Sequence, residues 1–329
     1  MTTDRLSEQD LRQAQPVGLN VIAFPGASNW PFWAAQQKGF FARQRLDISL
    51  HITPNSVHMA RELHAGGAQI ALTSMDNVLA YARAEGEVSL NEPADFFAFM
   101  SVDDGLLSLM AQPEFKDVTH LRGQRLAVDA LTTGYAFVLK EILAHHGLAE
   151  SDVGYVSVGT GMERLSALNE RLCAATLLNA PICLAAESVG KIRLVRASTV
   201  LGDYQGVVAA ARRSWARDHK TVIHAFMRGY GASIRWLCDP KNADEARSLL
   251  IERLPSLRTV VDDAYRVLIT ERGLDRTLRL RHEAVETVMK LREKHGSCSK
   301  EPAAADDYID DEYWRAVFGE GYIGSAVPR

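Results

Sequence analysis

The sequence lacks the features that mark several large classes of protein. No stretch approaches the roughly 18–20 consecutive apolar residues that a helix needs to cross a bilayer. The net charge of −4 over 329 residues leaves no basic excess for a nucleic acid or an anionic membrane surface. We therefore expect neither nucleic-acid binding nor direct insertion into a membrane.

Cysteine is scarce, and its spacing excludes the common thiol motifs. The four cysteines are scattered, with no CxxC pair, and stand at Cys173, Cys183, Cys238 and Cys298. This excludes a zinc ribbon and a thioredoxin-like site, and it favours reduced structural thiols over a disulfide framework. The metalloprotease motif HExxH and the phosphate loop GxxxxGK[ST] are also absent from the sequence. We expect no metal ion and no cofactor.

The first sixteen residues have no apolar core of the kind that a secretory signal peptide needs. Residues 1–16 are polar and carry charges of both signs. We interpret them as a polar N-terminal extension. The expected location is periplasmic if an export signal is missing from this start, and cytoplasmic otherwise.

What the sequence does contain is an alternation of strand and helix patterns. Apolar or period-two segments at residues 17–24, 46–52 and 70–73 predict strands, and helices are predicted between and after them. A second alternating set runs from about residue 96 to residue 195, and from residue 220 onward the pattern is mostly helical. The order β-α-β-α-β is typical of a mainly parallel sheet with helical crossovers.

Three segments carry a family resemblance. They are WPFWAAQQKGFFARQRLDISL at residues 30–50, GAQIALTSMDN at 67–77 and LRGQRLAVDALTTG at 121–134. In this order and at these spacings they resemble the substrate-binding proteins of nitrate, sulfonate and taurine ABC transporters, a family that includes thiamine-pyrimidine synthase-like proteins. The resemblance covers roughly residues 17–215.

The resemblance implies a two-lobed α/β protein with the type II periplasmic-binding-protein fold, a hinge and a central ligand cleft. The first lobe would comprise residues 17–102 with 205–329, and the second would comprise residues 106–199. Such a protein would capture a small organic ligand between its lobes for ABC-type uptake. Its partners would be the small-molecule ligand and, if the chain is exported, an ABC permease.

Ligands of open α/β sheets lie beyond the carboxyl ends of the strands, where helix N-termini offer free N–H groups. This places candidate ligand-binding residues in three strand-to-helix turns and at two later positions. The candidates are Ser28, Asn29 and Trp30; Ser74, Met75 and Asp76; Asp129, Thr132, Thr133 and Tyr135; and Asn179 and Tyr204.

Each candidate also has an ordinary structural explanation. Asn29, Asp76 and Thr133 are residue types that cap helices, and an aromatic side chain such as Trp30 often belongs to a core. Asn179 and Tyr204 could be plain loop residues. Only coordinates separate these alternatives from ligand binding.

The charges of the three turns bear on the kind of ligand. None of the turns contains Arg or Lys, whereas Asp76 and Asp129 are acidic. Anionic ligands commonly have a basic partner. This pattern favours a neutral, amine-bearing or heterocyclic molecule, and we expect a small aromatic or heterocyclic ligand.

An enzyme on the same fold is the alternative. The fold also resembles cytoplasmic pyrimidine synthases, desulfinases and aromatic decarboxylases, but the CCCGC-type motif of the synthase is absent and the first turn holds no cysteine. Gly159-Thr160-Gly161 follows a predicted strand, yet Arg164 stands where a dinucleotide fingerprint needs glycine. We assign no catalytic residue and favour a binding protein.

Overall fold

The computed structural model describes residues 15–90, 92, 94–271, 273–296 and 303–319. Cys298, most of the expected N-terminal extension and the last ten residues of the expected first lobe lie outside this range.

The described residues contain ten β-strands that form two sheets. The strands are β1 Val17–Ala23, β2 Leu46–Ile52, β3 Ile70–Ser74, β4 Phe96–Ser101, β5 Leu107–Ala111, β6 Arg125–Val128, β7 Gly154–Ser157, β8 Ala175–Asn179, β9 Ile192–Arg196 and β10 Val207–Arg212.

The two sheets share one topology. The first has the order β2-β1-β3-β10-β4, and the second has the order β7-β6-β8-β5-β9. In each sheet the three strands named first are parallel, and the fourth strand runs antiparallel to both of its neighbours. We call the first sheet with its helices the first lobe, and the second sheet with its helices the second lobe.

Helices connect the strands and cover the sheets. They are α1 Trp30–Gln37, α2 Phe40–Arg43, α3 Ser56–Ala65, α4 Met75–Ala82, α5 Gly134–His145, α6 Gly161–Asn169, α7 Ile182–Ser188, α8 Ser198–Leu201, α9 Arg213–Asp218, α10 Lys220–Cys238, α11 Ala243–Arg253, α12 Val261–Tyr265, α13 His282–His295 and α14 Glu312–Phe318. None of the described helices is long and apolar enough to cross a membrane.

Local sequence fixes where the helices nearest the sheet edges begin. The side chains of Asn55, Ser74 and Thr133 each accept a hydrogen bond from a backbone N–H in the first turn of the helix that follows. Such caps satisfy N–H groups that have no partner within the helix. They therefore set the first turns of α3, α4 and α5 at the carboxyl ends of β2, β3 and β6.

The chain crosses between the sheets twice, at residues 102–106 and 197–206. The two crossings touch closely, because a methyl group on Gly206 would lie only 2.1 Å from the Gly105 nitrogen. Beside this contact, the buried carboxylate of Asp103 accepts hydrogen bonds from the N–H groups of Gly105 at 2.8 Å and Val207 at 3.0 Å. A polar side chain therefore joins the two crossings where a hinge would bend.

The expected fold class is confirmed. Both lobes are α/β, each sheet packs its apolar side chains against helices, and the strand order is shared. The aromatic side chains of the first-lobe core illustrate the packing: Phe41 stacks on Phe226 at a centroid distance of 5.3 Å, and Phe32 lies against both.

Candidate ligand-binding site

A cavity of about 230 Å³ lies between the two lobes. It is bordered by the carboxyl ends of β1, β2, β3, β6, β7 and β8 and by the first residue of the antiparallel strand β10. Parallel strands bring their carboxyl ends to one edge of a sheet, and these two edges face each other. Its lining consists of Phe24, Pro25, Gly26, Ser28, Asn29, Pro54, Asn55, Ser56, Leu72, Thr73, Ser74, Asn77, Glu87, Asp129, Ala130, Thr133, Gly134, Tyr135, Gly159, Thr160, Gly161, Arg164, Asn179, Ile182 and Val207.

The polar side chains of the first-lobe wall are already engaged with the protein. Ser28 Oγ donates to Asp103 Oδ2 at 2.6 Å, and Asn29 Nδ2 donates to the Phe24 carbonyl at 2.7 Å. Ser74 Oγ accepts from the Asn77 N–H at 3.3 Å. These bonds fix the wall in place, and they leave it with less hydrogen-bonding capacity for a ligand than its composition suggests.

The second-lobe wall combines a fixed carboxylate with a free amide. Thr133 Oγ1 donates to Asp129 Oδ1 at 2.7 Å and caps α5. The side-chain amide of Asn179 makes no hydrogen bond to any residue in the described part of the chain. Asn179 is therefore available to a ligand, while Thr133 orients Asp129.

Tyr135 contributes a half-buried ring beside these groups. Burial is the main cause that raises the pKa of its hydroxyl above the ordinary value of 10.0, and the carboxylates of Asp103 and Asp129 add to the shift. Arg164 acts in the opposite direction. The hydroxyl therefore stays protonated at neutral pH and can serve as a hydrogen-bond donor.

Arg164 places a positive charge at the cavity. Its side chain is 3% exposed, with Nε donating to the Leu177 carbonyl at 3.2 Å and Nη1 donating to the Gly159 carbonyl at 2.7 Å. Among the described residues, no carboxylate lies within 4.0 Å of the guanidinium. The charge is held by neutral carbonyl groups and faces the cavity without a counter-ion from the protein.

Helix N-termini add to this positive potential. The first turns of α3 and α4 in the first lobe, and of α5 and α6 in the second, contribute residues to the lining. One N–H group at each end is already bonded to a side chain, that of Asn55, Ser74, Thr133 or Glu163. The remaining N–H groups point out of the helix ends with a partial positive charge. The cavity is therefore suited to a ligand with acceptor atoms or a negative group.

The structure brings seven of the predicted residues together around this one cavity. They are Ser28, Asn29, Ser74, Asp129, Thr133, Tyr135 and Asn179. Thr133 is at once a helix cap and a lining residue, so the two interpretations of its role are compatible.

Five predicted residues do not line this cavity. Trp30 and Met75 are fully buried, and Trp30 packs edge-on against Tyr265 at 6.1 Å in the first-lobe core. Thr132 lies exposed beside the turn that holds Thr133. Tyr204 is buried at the hinge and lines a separate cavity on its other side.

Asp76 is the fifth predicted residue that does not line the cavity. The interpretation that it caps its helix is also wrong. The cap is Ser74, and Asp76 lies in the first turn of α4. Its buried carboxylate accepts two hydrogen bonds from Arg292 of α13, at 2.9 and 2.8 Å. This ion pair holds the Asp76 side chain away from the cavity.

Sequence reasoning missed Arg164, Asn55 and Ser56. The rule that identified three turns applies equally to the turns after β2 and β7, where Pro54-Asn55-Ser56 and Gly159-Thr160-Gly161 stand. Arg164 lies one helical turn beyond Gly161, so its side chain reaches back to the cavity wall. The three predicted turns contain no basic residue, but the cavity has one in Arg164, which follows a fourth turn.

Comparison with known proteins supports this picture of the fold. The family model described as NMT1/THI5 like matches residues 27–243, which is more than half of the chain. A comparison with curated proteins finds no match. The family match confirms the resemblance inferred from the sequence.

Several solved structures have a similar fold. The periplasmic nitrate-binding protein NrtA of Synechocystis PCC 6803 is 11% identical, covers 92% of this chain and 88% of its own, and has a TM-score of 0.74. The alkanesulfonate-binding protein SsuA of Xanthomonas axonopodis pv. citri, bound to MOPS, is 15% identical, covers 91% and 99%, and has a TM-score of 0.72.

A third similar structure is an enzyme. The desulfurization enzyme DSZB is 14% identical, covers 91% of this chain and 98% of its own, and has a TM-score of 0.64. At these identities the three structures show a shared fold and leave function to be argued from the site.

Proposed function

We propose that this chain, which belongs to the NMT1/THI5-like family, is a solute-binding protein that captures a small organic molecule between its two lobes. One observation carries the proposal: the strand ends and helix N-termini of both lobes converge on a single cavity. Convergent polar groups in an otherwise apolar cleft are the usual form of a small-molecule site.

The lining favours a compact ligand with a flat or apolar body. Phe24, Pro25, Leu72 and Ile182 supply apolar walls, and Tyr135 supplies an aromatic one. The volume of about 230 Å³ lies below the roughly 300–1,000 Å³ typical of sites for drug-sized ligands. We propose a small aromatic or heterocyclic compound as the ligand.

The two crossings between the lobes provide the means of entry and release. Lobes joined by two short segments open and close around a ligand by hinge bending. If the chain is exported, the closed and loaded form would deliver its ligand to an ABC permease. The nitrate-binding and alkanesulfonate-binding proteins of similar fold are consistent with that role.

A thermal-shift screen tests the proposal directly. A ligand that binds only the folded state raises the melting temperature, and the rise continues with the logarithm of the ligand concentration above its Kd. We expect a concentration-dependent rise with at least one member of a panel of aromatic carboxylates, sulfonates, pyrimidines and amines. A panel that leaves the melting temperature unchanged at millimolar concentration would contradict the proposal.

An enzyme on the same fold is the second candidate, because a desulfurization enzyme is among the similar structures. Ser28, Asp129 and Tyr135 line the cavity, whereas its lining residues include neither Cys nor His. Incubation of the purified protein with each binding compound, followed by product analysis, separates the candidates. Multiple turnovers would establish the enzyme, and binding without product supports the solute-binding protein.

A further inference from the structure

The two lobes touch along one side of the cavity, where α4 and α5 approach each other. A methyl group on Gly134 of α5 would lie only 2.5 Å from Asp76 Cβ of α4. Gly134 and Tyr135 also line the cavity, so this contact closes one side of it. A hinge motion that widens the cavity on this side must separate α5 from the first lobe.

The last turn of α13 spans this contact and joins the two lobes. Toward the first lobe, Arg292 donates two hydrogen bonds to the Asp76 carboxylate, at 2.9 and 2.8 Å. Toward the second lobe, the Glu141 carboxylate of α5 accepts a hydrogen bond from Lys294 Nζ at 3.0 Å and lies 2.6 Å from His295 Nε2. We call Glu141, Lys294 and His295 the α13 cluster.

The beginning of α13 is also held by the first lobe. His282 Nε2 lies 2.6 Å from Asp306 Oδ1. The segment that contains Asp306 joins the edge of the first sheet, because the Ala98 N–H of β4 donates to the Tyr308 carbonyl at 2.8 Å and Ala98 forms a bridge with Ile309. Contacts at both of its ends therefore hold α13 to the first lobe.

When the lobes part, α13 must give up either Asp76 or Glu141. Separating a buried ion pair leaves desolvated charges and is far more costly than separating a pair that water can reach. Asp76 and Arg292 are only 1% and 4% exposed, whereas the Lys294 side chain is 56% exposed. The α13 cluster is therefore the set of contacts that breaks, and α13 stays with the first lobe.

The charges of the α13 cluster favour the closed arrangement. Burial alone would raise the pKa of the Glu141 carboxyl, but its hydrogen bonds with Lys294 and His295 outweigh burial and lower the pKa below the ordinary 4.5. Glu141 is therefore ionised at neutral pH, and it attracts the Lys294 ammonium across the boundary between the lobes.

We propose that the α13 cluster is a latch between the lobes, which holds the cavity closed and sets how often it opens to admit or release a molecule. This inference rests on the proposed function, because a latch has a role only if a molecule enters the cavity. Its test uses no ligand, so the latch and the proposed function can fail separately.

The reaction of a thiol placed inside the cavity measures opening. Asn179→Cys puts a thiol on the cavity wall, and fluorescein maleimide is too large for a closed cavity of about 230 Å³. When opening and closing are fast relative to the reaction, the rate is proportional to the open population. The rate of the same protein without Asn179→Cys is subtracted, which removes the contribution of the native cysteines.

Variants of the α13 cluster are compared in the Asn179→Cys protein at neutral pH. Glu141→Gln should raise the maleimide rate about threefold to fivefold, as expected for the loss of a partly exposed ion pair. Lys294→Met should raise it in the same direction, and this variant keeps the test sound if Glu141→Gln does not fold.

Glu150→Gln is the matched control. Glu150 pairs with Lys140 at 2.8 Å, and both residues belong to the second lobe. The variant removes the same charge and breaks a Glu–Lys pair next to Glu141 in the chain, but it changes no contact between the lobes. Its maleimide rate should equal that of the protein without a second substitution.

A charge swap separates a latch from a general effect on the fold. Glu141→Lys alone places two ammonium groups together and should raise the rate above that of Glu141→Gln. Adding Lys294→Glu restores an attractive pair and should bring the rate back toward its starting value.

The proposal is overturned by equal rates in Glu141→Gln, Lys294→Met and Glu150→Gln. It is also overturned if adding Lys294→Glu fails to lower the rate below that of Glu141→Lys alone. Either result leaves the proposed function standing, since the thermal-shift screen decides that independently. Conversely, a screen without a hit leaves the measured opening of the lobes unchanged and removes only its biological role.

Discussion

The Arg292 guanidinium donates two hydrogen bonds to the Asp76 carboxylate, from Nε at 2.9 Å and from Nη2 at 2.8 Å, with both side chains buried. The pair joins α13 to α4, and the Arg292 guanidinium also lies 5.3 Å from the Phe137 ring of α5. Arg292 thus contacts both lobes next to the cavity. Its pairing explains why a carboxylate at the start of α4 is absent from the cavity wall.

Removing Arg292 should destabilise the protein more than removing the whole pair. Arg292→Met leaves the Asp76 charge buried and unpaired, which costs about 3–5 kcal/mol. The double variant Arg292→Met with Asp76→Leu should lose less, because no isolated charge remains. Urea unfolding measures both. A single variant within about 1 kcal/mol of wild type would show that the pair is not desolvated.

Asp103 should make stability depend on pH. Burial is the largest effect on this carboxyl and raises its pKa above the ordinary 3.8, although hydrogen bonds from Ser28, Val207 and Gly105 oppose the shift. A carboxyl whose pKa is raised on folding contributes most to the free energy of unfolding below its unfolded-state pKa, at about pH 4 and lower. That contribution is lost as the pH rises through the folded-state pKa. Asp103→Asn lacks this titration.

The free energies of unfolding of wild type and Asp103→Asn should therefore diverge between pH 4 and pH 8. We expect the wild type to lose stability relative to the variant as the pH rises. Denaturant titrations at several pH values give the difference. A difference that stays constant, or that changes in favour of the wild type, would contradict the raised pKa.

Two second-lobe residues should matter together for affinity. Thr133→Val with Asn179→Ala removes the hydroxyl that orients Asp129 and the free amide at the cavity wall. We expect ligand affinity to fall more than tenfold by calorimetry, while the lost cap on α5 costs about 1 kcal/mol of stability. Thr132→Val is the control, since Thr132 is exposed beside the same turn. If Thr132→Val lost as much ligand affinity as the double variant, Thr133 and Asn179 would not belong to the site.

Gly134 should tolerate no side chain, because the lobes touch there. A methyl group on Gly134 would lie 2.5 Å from Asp76 Cβ and 2.7 Å from its Cγ, and Asp76 is held by Arg292. Gly134→Ala should therefore either lower stability by roughly 1–3 kcal/mol or separate the lobes. Thermal unfolding measures the loss of stability, and small-angle scattering detects a separation of the lobes.

Gly18→Ala provides the comparison for Gly134→Ala. Gly18 lies in β1 with no atom within 4 Å of the added methyl group. This substitution should leave the shape unchanged and should not lower stability, since alanine suits a strand better than glycine does. The close contact between Gly134 and Asp76 would be disproved if Gly134→Ala behaved in the same way.

The fold was predictable because its signals are local. Period-two and apolar segments indicated β1, β2 and β3 to within a residue or so of their ends. Ser28, Ser74 and Thr133 were predictable for the same reason, since each lies where a strand pattern gives way to a helix pattern.

The remaining errors concern contacts that the local sequence does not encode. The partner of Asp76 is Arg292, 216 residues further along the chain. Trp30 follows a strand like a ligand-stacking residue, but its ring is directed into the core by the packing of α1. Arg164 faces the cavity because two carbonyls, of Gly159 and Leu177, hold its guanidinium there.

Hydrogen exchange with and without a compound found by the thermal-shift screen tests most directly that both lobes enclose one ligand. Bound ligand should slow exchange simultaneously in the first turns of α4 and α5, at residues 75–77 and 134–136, which belong to different lobes. Protection confined to one lobe, or located away from the cavity, would contradict a ligand held between the two lobes.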